Sequence, residues 1–238
     1  MEITMFPKTP HLVWFGDKLK DDKLLTKAEQ KQFLSKPVIV QEKVDGNCIG
    51  FAFDNDATAY ISHREGLVDR DDSAFYKLHQ WHAEHEDALF DLCSNRYTLF
   101  GEWLFLRHTV AYSRLPSYYL VHDIFDRKHS HFLPTKKVAR MAKEHGFSHN
   151  PIVYEGKATL DELVDLTKSQ SQFSDSQREG IYLRVDDAKQ NLYRAKIVNE
   201  AFHKQVSKTG HWRNQDQYVR NVSMHPQESH LAPYKKSN

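Results

Sequence analysis

Cysteine is scarce in this chain of 238 residues: there are two, Cys48 and Cys93, with no metal-ligand spacing. That excludes a disulfide framework and a cysteine-based zinc site, and both residues read as small buried hydrophobes. Net charge is nearly absent too, with 33 Lys and Arg against 32 Asp and Glu for a formal +1. A globally basic nucleic-acid coat and an acidic disordered tail are thereby excluded. Glycine and proline number 9 and 8, and no Gly/Ser-rich or Pro-rich linker and no internal repeat divides the chain. No apolar run approaches the ~20 residues that a membrane span needs, and MEITMFPKTP lacks a charged region leading into an apolar stretch. The protein is therefore expected in the cytoplasm or nucleus, not secreted and not in a membrane. The 39% hydrophobic, 12% aromatic and 27% charged residues describe an ordinary globular protein long enough to bury a core without staples.

Histidine is plentiful, at 15 residues. His79, His82 and His85 recur at helical spacing and His129 and His131 flank Ser130, but no HExxH or CxxC accompanies them, so packing and surface roles are favoured over zinc.

Runs rich in β-branched and aromatic residues predict strands at Val38–Glu42, Cys48–Phe53, Thr58–Ser62, Tyr97–Phe105, Tyr118–Phe125, Gly180–Val185 and Leu192–Val198. Between them, Asp71–Cys93 places Phe75, Leu78, Trp81, Ala88, Leu89 and Leu92 on one helical stripe. A second helix runs from Pro134 to Gly146 with Val138, Met141 and Ala142 inward. A third opens at the capping box Thr159-Leu160-Asp161-Glu162 and buries Leu160, Leu163 and Val164. Strands in runs with helices inserted predict an α+β fold with mainly antiparallel sheets and flanking helices. The stretch from about His225 is polar and expected to be loose.

Chemistry concentrates where strands meet charged turns. In Glu42-Lys43-Val44-Asp45-Gly46-Asn47 a lysine stands at a strand end, a candidate nucleophile if its amine is neutral. Gly46 permits a tight turn and Asp45 can hold the loop by hydrogen bonding. Alone, Lys-x-Asp-Gly reads more readily as a hairpin turn with a solvated lysine. Further islands follow. Arg64 precedes a Gly turn, and its fork suits phosphate or ribose oxygens. Glu102, in Gly101-Glu102-Trp103, and Asp123, in His122-Asp123-Ile124, are carboxylates inside apolar strands, costly unless partnered by a sugar hydroxyl, an arginine or a metal. Glu179 stands before Gly180 at a strand start, where it could ligate a divalent metal. Arg194 and Lys196 share one strand face, where an anionic ligand between them would relieve their repulsion.

In this order, Lys43–Gly46, Arg64, Gly101-Glu102, His122-Asp123, Glu179-Gly180 and Arg194 with Lys196 resemble the motifs of the covalent nucleotidyltransferase superfamily of ATP-dependent ligases and RNA-capping enzymes. The resemblance spans roughly residues 36–200. Phe6-Pro7-Lys8-Thr9-Pro10-His11-Leu12 and Gly210-His211-Trp212 look like the flanks of its RNA-ligase branch. It implies a nucleotidyltransferase domain (an ATP-grasp-like ligase adenylation domain) over 36–200, an N-terminal flank 1–35 packed on it, and a basic, aromatic extension over 201–238. It implies ATP and Mg2+ or Mn2+ as cofactors, with Lys43 as the nucleophile that forms lysyl-AMP. Arg194 and Lys196 would neutralise the α-phosphate and Glu179 would carry the metal. Arg64 and Glu102 would fix the ribose, with adenine stacked near His122 and read partly through backbone groups next to Gln41 and Glu42. Two departures stand out: His122 replaces the usual aromatic such as Phe, and Arg194 the lysine of many relatives.

Capping enzymes and most DNA ligases of the superfamily continue into an OB domain of roughly 70 residues, whereas 42 residues follow Lys196 here. A minimal RNA ligase without an OB domain is therefore the expectation, joining RNA 5′-phosphate and 3′-hydroxyl ends, with a separate kinase and phosphatase as possible end-healing partners. A DNA nick ligase is the runner-up, and a catalytically inactive module binding nucleotide or RNA ends is the alternative of another class. Residues 194–220 add a candidate RNA patch: Arg194, Lys196, Lys204, Lys208, Arg213 and Arg220 against Glu200 and Asp216, with Trp212 and Tyr218 for stacking.

Overall fold

Alternating apolar and polar positions let a strand bury one face and present chemistry on the other, and two sheets use this rule to enclose a polar layer. The structure, a computed structural model, describes residues 3–15, 22–209, 218–228 and 230. The first sheet has the order β10-β9-β1-β8, formed by β1 (Val38–Lys43), β8 (Ile152–Gly156), β9 (Gly180–Asp186) and β10 (Asn191–Val198). The second has the order β4-β3-β2-β5-β6-β7, formed by β2 (Asn47–Phe53), β3 (Ala59–His63), β4 (Gly66–Leu67), β5 (Tyr97–Trp103), β6 (Tyr119–Asp126) and β7 (His131–Phe132). All pairings between these strands are antiparallel, so the fold is the α+β architecture that the sequence predicts.

The Lys43–Gly46 segment is not a hairpin. β1 and β2 lie in different sheets, and the turn between them carries the chain from one sheet to the other. Gly46 is needed there, because a Cβ would stand 2.6 Å from the Trp103 carbonyl oxygen and 2.7 Å from Leu104 Cδ2.

Helices cover the outer faces. α2 (Tyr76–Cys93) and α3 (Thr135–Glu144) bury Leu78, Trp81, Leu89, Val138 and Ala142 against Ile49, Phe51, Leu99 and Ile124 of the second sheet. α1 (Lys27–Leu34) and α4 (Leu160–Thr167) place Phe33 and Leu163 on Val38, Val40, Ile181, Leu183, Ala195 and Ile197 of the first. Each such side chain contributes roughly 1.5–3 kcal/mol on leaving water. α5 (Glu200–Thr209) follows β10 directly. The segment 9–12 runs beside β10, where Leu12 N–H donates to the Lys196 carbonyl and Lys196 N–H to the Pro10 carbonyl, both at 2.9 Å.

Several local expectations change. α2 starts at Tyr76, because Asp72 caps a short 3-10 turn over Ser73–Phe75 instead of continuing the helix. β4, β7, β8, α1 and α5 were not expected. Thr26 and Glu29 form a capping box ahead of α1 as Thr159 and Glu162 do ahead of α4. The tail is not loose where it is described. Glu228 is buried and accepts from Trp81 Nε1 at 2.9 Å, Ser117 Oγ at 2.6 Å, Tyr118 N–H at 2.9 Å and Ser223 Oγ at 2.5 Å. Both cysteines are free and buried. His82 stacks on Phe51 and His85 on Trp81, so both serve packing. His129 and His131 stand near Asp126 with donor atoms within 4.8 Å of one another. Both Asp126 oxygens are already taken, by Arg96, His129 and the Lys128 and His129 N–H groups, and the guanidinium opposes a cation there. Among the described residues no helix is long and apolar enough to cross a membrane.

Candidate active site

Register collects the charged residues. Lys43 faces Gly180, Gln41 faces Tyr182 and Tyr182 faces Lys196, while Arg184 faces Arg194. By the two-residue period, Gln41, Lys43, Tyr182, Arg184, Arg194 and Lys196 therefore share the inner face of the first sheet. The second sheet meets them with Cys48, Phe100, Glu102 and His122, and with Asp123 bonded across the gap to Arg184. Two groups form, one at the strand ends and one deeper.

At the strand ends Lys43 Nζ lies 2.7 Å from both oxygens of Glu179, with the two side chains 13% and 7% exposed. Burial by itself pulls the lysine down, but Glu179, with Tyr182 and Glu102, outweighs it and holds the ammonium above the ordinary lysine range. Burial pushes Glu179 up to about 7, helped by Asp45 and Glu102 and opposed by Lys43. The resting pair is thus a charged lysine on a carboxylate with raised proton affinity. Lys196 is pushed down to about 8 by burial and by the nearby Lys43 charge, with Asp22 at 3.6 Å opposing. Asp45 organises the crossover: its Oδ2 accepts the N–H groups of Thr109 at 2.7 Å and Val110 at 3.0 Å, and its own N–H donates to the Tyr112 hydroxyl at 2.7 Å.

Glu102 is 3% exposed, and among the described residues its Oε2 has no hydrogen-bond partner. Burial raises its carboxyl, with Lys43, His122 and Arg64 pulling the other way. Arg64 is exposed on the β3–β4 turn, and its charge also acts on Tyr182 and Lys196. Of the two carboxylates that the sequence shows inside apolar strands, one has both oxygens on protein partners and this one keeps an oxygen without one among the described residues.

Deeper in, Asp123 is that partnered carboxylate. Arg184 Nη1 and Nη2 reach its two oxygens at 2.8 Å each, Arg194 Nη2 stands at 3.5 Å and His122 Nδ1 at 3.2 Å. Burial favours its neutral form, but the Arg184 and Arg194 charges outweigh burial and hold the carboxyl below the usual range. Arg184 Nε donates to Gln41 Oε1 at 2.8 Å, and Gln41 Nε2 donates to the Asn150 carbonyl at 2.9 Å. His122 meets the Phe6 ring edge-on at 4.7 Å and lies 3.7 Å from Cys48 Sγ.

These positions separate residues that the sequence places together. Lys196 is electrostatically coupled to Lys43, whereas Arg194 turns to Asp123 and sits 3.8 Å over the Phe132 ring. Each of the two cations already has a protein carboxylate, Asp22 or Asp123, so their sharing a strand face requires no ligand between them. Glu42 points to the opposite face and accepts Ser171 Oγ at 2.5 Å and the Gln172 N–H at 2.9 Å. Its backbone N–H goes to the Pro151 carbonyl at 3.2 Å and its own carbonyl accepts Asn150 Nδ2 at 3.4 Å. Glu42 and the Gln41 amide are thereby committed within the protein. Arg184, Tyr112 and Asp22 belong to the site without having been singled out. Lys204 pairs with Glu200, Arg220 is exposed, and Trp212, Arg213 and Asp216, the Gly210–Trp212 flank and the Lys208 side chain lie outside the described residues.

The RNA ligase family model matches residues 36–198. No curated protein matches the chain. Among solved structures, an apo mutant of the Naegleria gruberi RNA ligase superposes with a TM-score of 0.61 at 13% identity, over 87% of this chain and 58% of that one. The same ligase with PPi gives 0.57 at 16% identity, over 86% and 61%. A mutant with ATP and Mn gives 0.56 at 14%, over 75% and 54%. The chain thus spans less than two thirds of the length of those structures, and the likeness shows a shared fold.

Proposed function

This chain belongs to the RNA ligase family, and we propose from that premise that it is an ATP-dependent RNA ligase joining 5′-phosphate to 3′-hydroxyl RNA ends. The observation that carries the proposal is the buried Lys43–Glu179 pair at 2.7 Å, set at the crossover between the sheets with Lys196 beside it.

In this reading Lys43 Nζ attacks the α-phosphorus of ATP. A P–N bond forms, the bond to the pyrophosphate oxygen breaks, and pyrophosphate leaves. The RNA 5′-phosphate then attacks the same phosphorus, and the P–N electron pair returns to the lysine. Finally the 3′-hydroxyl displaces AMP. Lys43 becomes nucleophilic only once Glu179, the largest of the groups that oppose burial, is drawn off it and the ammonium gives its proton to solvent; burial then weighs against Tyr182 and Glu102 and lowers its proton affinity. Lys196 neutralises the α-phosphate. Glu102, with a free buried oxygen, and Arg64 hold the ribose and fix the approach to Lys43. Adenine occupies the inner face near His122, with Asp123, Arg184, Arg194 and Gln41 as the positioning network. The donor chemistry fits a divalent cation at Glu179, a hard oxygen ligand whose burial raises its proton affinity. Mg2+ or Mn2+ held there would neutralise phosphate oxygens. Ends of other chemistry need a separate kinase and phosphatase.

Incubation with α-labelled ATP and Mg2+ or Mn2+, after stripping bound AMP with pyrophosphate, tests the reading. Label is expected on the denatured wild-type polypeptide and not on Lys43→Ala, and wild-type protein without label refutes it. Nicked duplexes with RNA or DNA on each side then separate RNA from DNA sealing.

A further inference from the structure

Beyond the Lys43 site lies a cavity of about 350 Å3 between the loop after β5, the loop before β9 and the start of α5. Its volume is within the ~300–1,000 Å3 of small-ligand sites. Its polar lining includes Arg107, Thr109, Ser174, Ser176, Arg178 and Asn199, and among the described residues no carboxylate lines it.

Arg178 is the unusual member. It is 6% exposed, Nη2 donates to the Gln170 carbonyl at 3.1 Å, and Nε and Nη1 have no hydrogen-bond partner among the described residues. Burial pulls the guanidinium down, with Glu42 opposing. Glu42 gives it charge but no hydrogen bond, since that carboxylate is engaged by Ser171 and Gln172. A buried guanidinium with two unused donors is costly unless an anion completes it. Other donors are at hand. The Ser174 and Ser176 hydroxyls lie 2.9 Å apart, Arg107 is exposed at the rim, and Asn199, whose Oδ1 accepts the Ala201 N–H at 2.8 Å, caps the positive end of α5.

The cavity adjoins the proposed chemistry. Arg178 directly precedes Glu179, Asn199 N–H donates to the Glu179 carbonyl at 2.8 Å, and Thr109 and Val110 bind Asp45. The geometry points to a phosphate subsite here, in which Arg178 and Arg107 seat one phosphate group, either from the RNA backbone near the join or from the pyrophosphate end of the nucleotide. This rests on the RNA ligase reading for its role but not for its binding chemistry.

Equilibrium binding to the whole protein tests it without turnover, so the result stands even if Lys43 is never adenylylated. The probes are a 5′-phosphorylated RNA oligonucleotide and, separately, pyrophosphate, with wild type, Arg178→Lys and Arg107→Ala compared. Loss of a fork-like charged contact should weaken one ligand about tenfold. If that ligand is RNA, the slope of log affinity against log salt should fall by about 0.7 for Arg107→Ala, and the phosphate is the backbone's. If it is pyrophosphate, the phosphate is the nucleotide's. Unchanged affinity of both ligands for both folded variants overturns the proposal. Should Arg178→Lys fail to fold, exposed Arg107 decides alone.

Discussion

Asp123→Asn keeps the shape of a buried side chain and removes its charge. In the native protein Asp123 is 1% exposed and Arg184 2%, joined by two contacts of 2.8 Å, with Arg194 at 3.5 Å. The variant leaves Arg184 with Gln41 and at most one amide oxygen as acceptors, turns an NH2 group toward the other guanidinium nitrogen, and leaves two buried guanidinium groups without a full counter-charge. Removing one partner of a buried pair costs ~3–5 kcal/mol. At ~2–4 °C per kcal/mol for a chain of this size, Tm should fall by ~6–20 °C. Urea unfolding followed by tryptophan fluorescence should show a lower midpoint at unchanged slope. The pH dependence adds a second check. A carboxylate whose folded pKa is depressed contributes stability fully present above its unfolded pKa, ~3.9, and lost as pH falls towards the folded value. The gap between wild type and variant should therefore narrow below pH ~4. Because a buried pair exchanged for apolar residues is often neutral, Asp123→Leu with Arg184→Met should recover the part of the loss that belongs to Arg184, with Arg194 still lacking its carboxylate. A loss below ~1 kcal/mol, or a gap constant from neutral to strongly acid pH, would refute the claim that this pair anchors the two sheets.

Three further outcomes are expected. Glu179→Gln removes the charge that holds the Lys43 ammonium, so burial should lower the lysine; pH-dependent acylation mapped by mass spectrometry should show its midpoint moving down, and an unmoved midpoint contradicts the pairing. Lys196, at about 8, should set an alkaline limit on label transfer from ATP, and Lys196→Arg, which stays charged, should move that limit up; a limit unchanged in the arginine variant excludes the role. For stability the sign of Lys196 is opposite. The unfolded chain binds the extra proton between about 8 and ~10.4, so this group makes stability rise with pH across that window. Glu228→Ala strips the acceptor from four donors, those of Trp81, Ser117, Tyr118 and Ser223, and should cost about 3 kcal/mol or more; a smaller loss by urea unfolding, without faster proteolysis of the 218–228 segment, shows that this segment is not latched there.

What was missed had weak or misread signals. α1 fully buries Phe33 alone, with Leu34 half-buried beside it, so it carries no 3.6-residue apolar stripe, although Thr26 and Glu29 have the spacing that reveals α4. β8 has no fully buried residue, which removes the alternation a half-buried strand shows. Arg184 stands inside an apolar strand as Glu102 and Asp123 do, and the same cost argument would have marked it. Glu228 sits in a polar tail whose composition conceals a single buried anchor.

Local chemistry decided much by itself. The β-branched runs, the capping boxes and the helical stripe of Leu78, Trp81 and Leu89 act over a few residues, so strands, helices and outer faces follow from the chain directly. The order of Lys43, Arg64, Glu102, Glu179 and Lys196 likewise carried the family. Partnership needed the tertiary structure. Asp123 and Glu102 are equally carboxylates in apolar strands, and Arg194 and Lys196 equally cations on one strand face. Sheet register brings Arg184 to Asp123 and leaves Glu102 with an unused oxygen; it turns Arg194 inward and brings Lys196 to Lys43. Buried charge is stabilised or exposed to a ligand by what lies within about 4 Å of it, and residues as far apart in the chain as Asp123 and Arg184 or Lys43 and Glu179 reach that distance only when the sheets close.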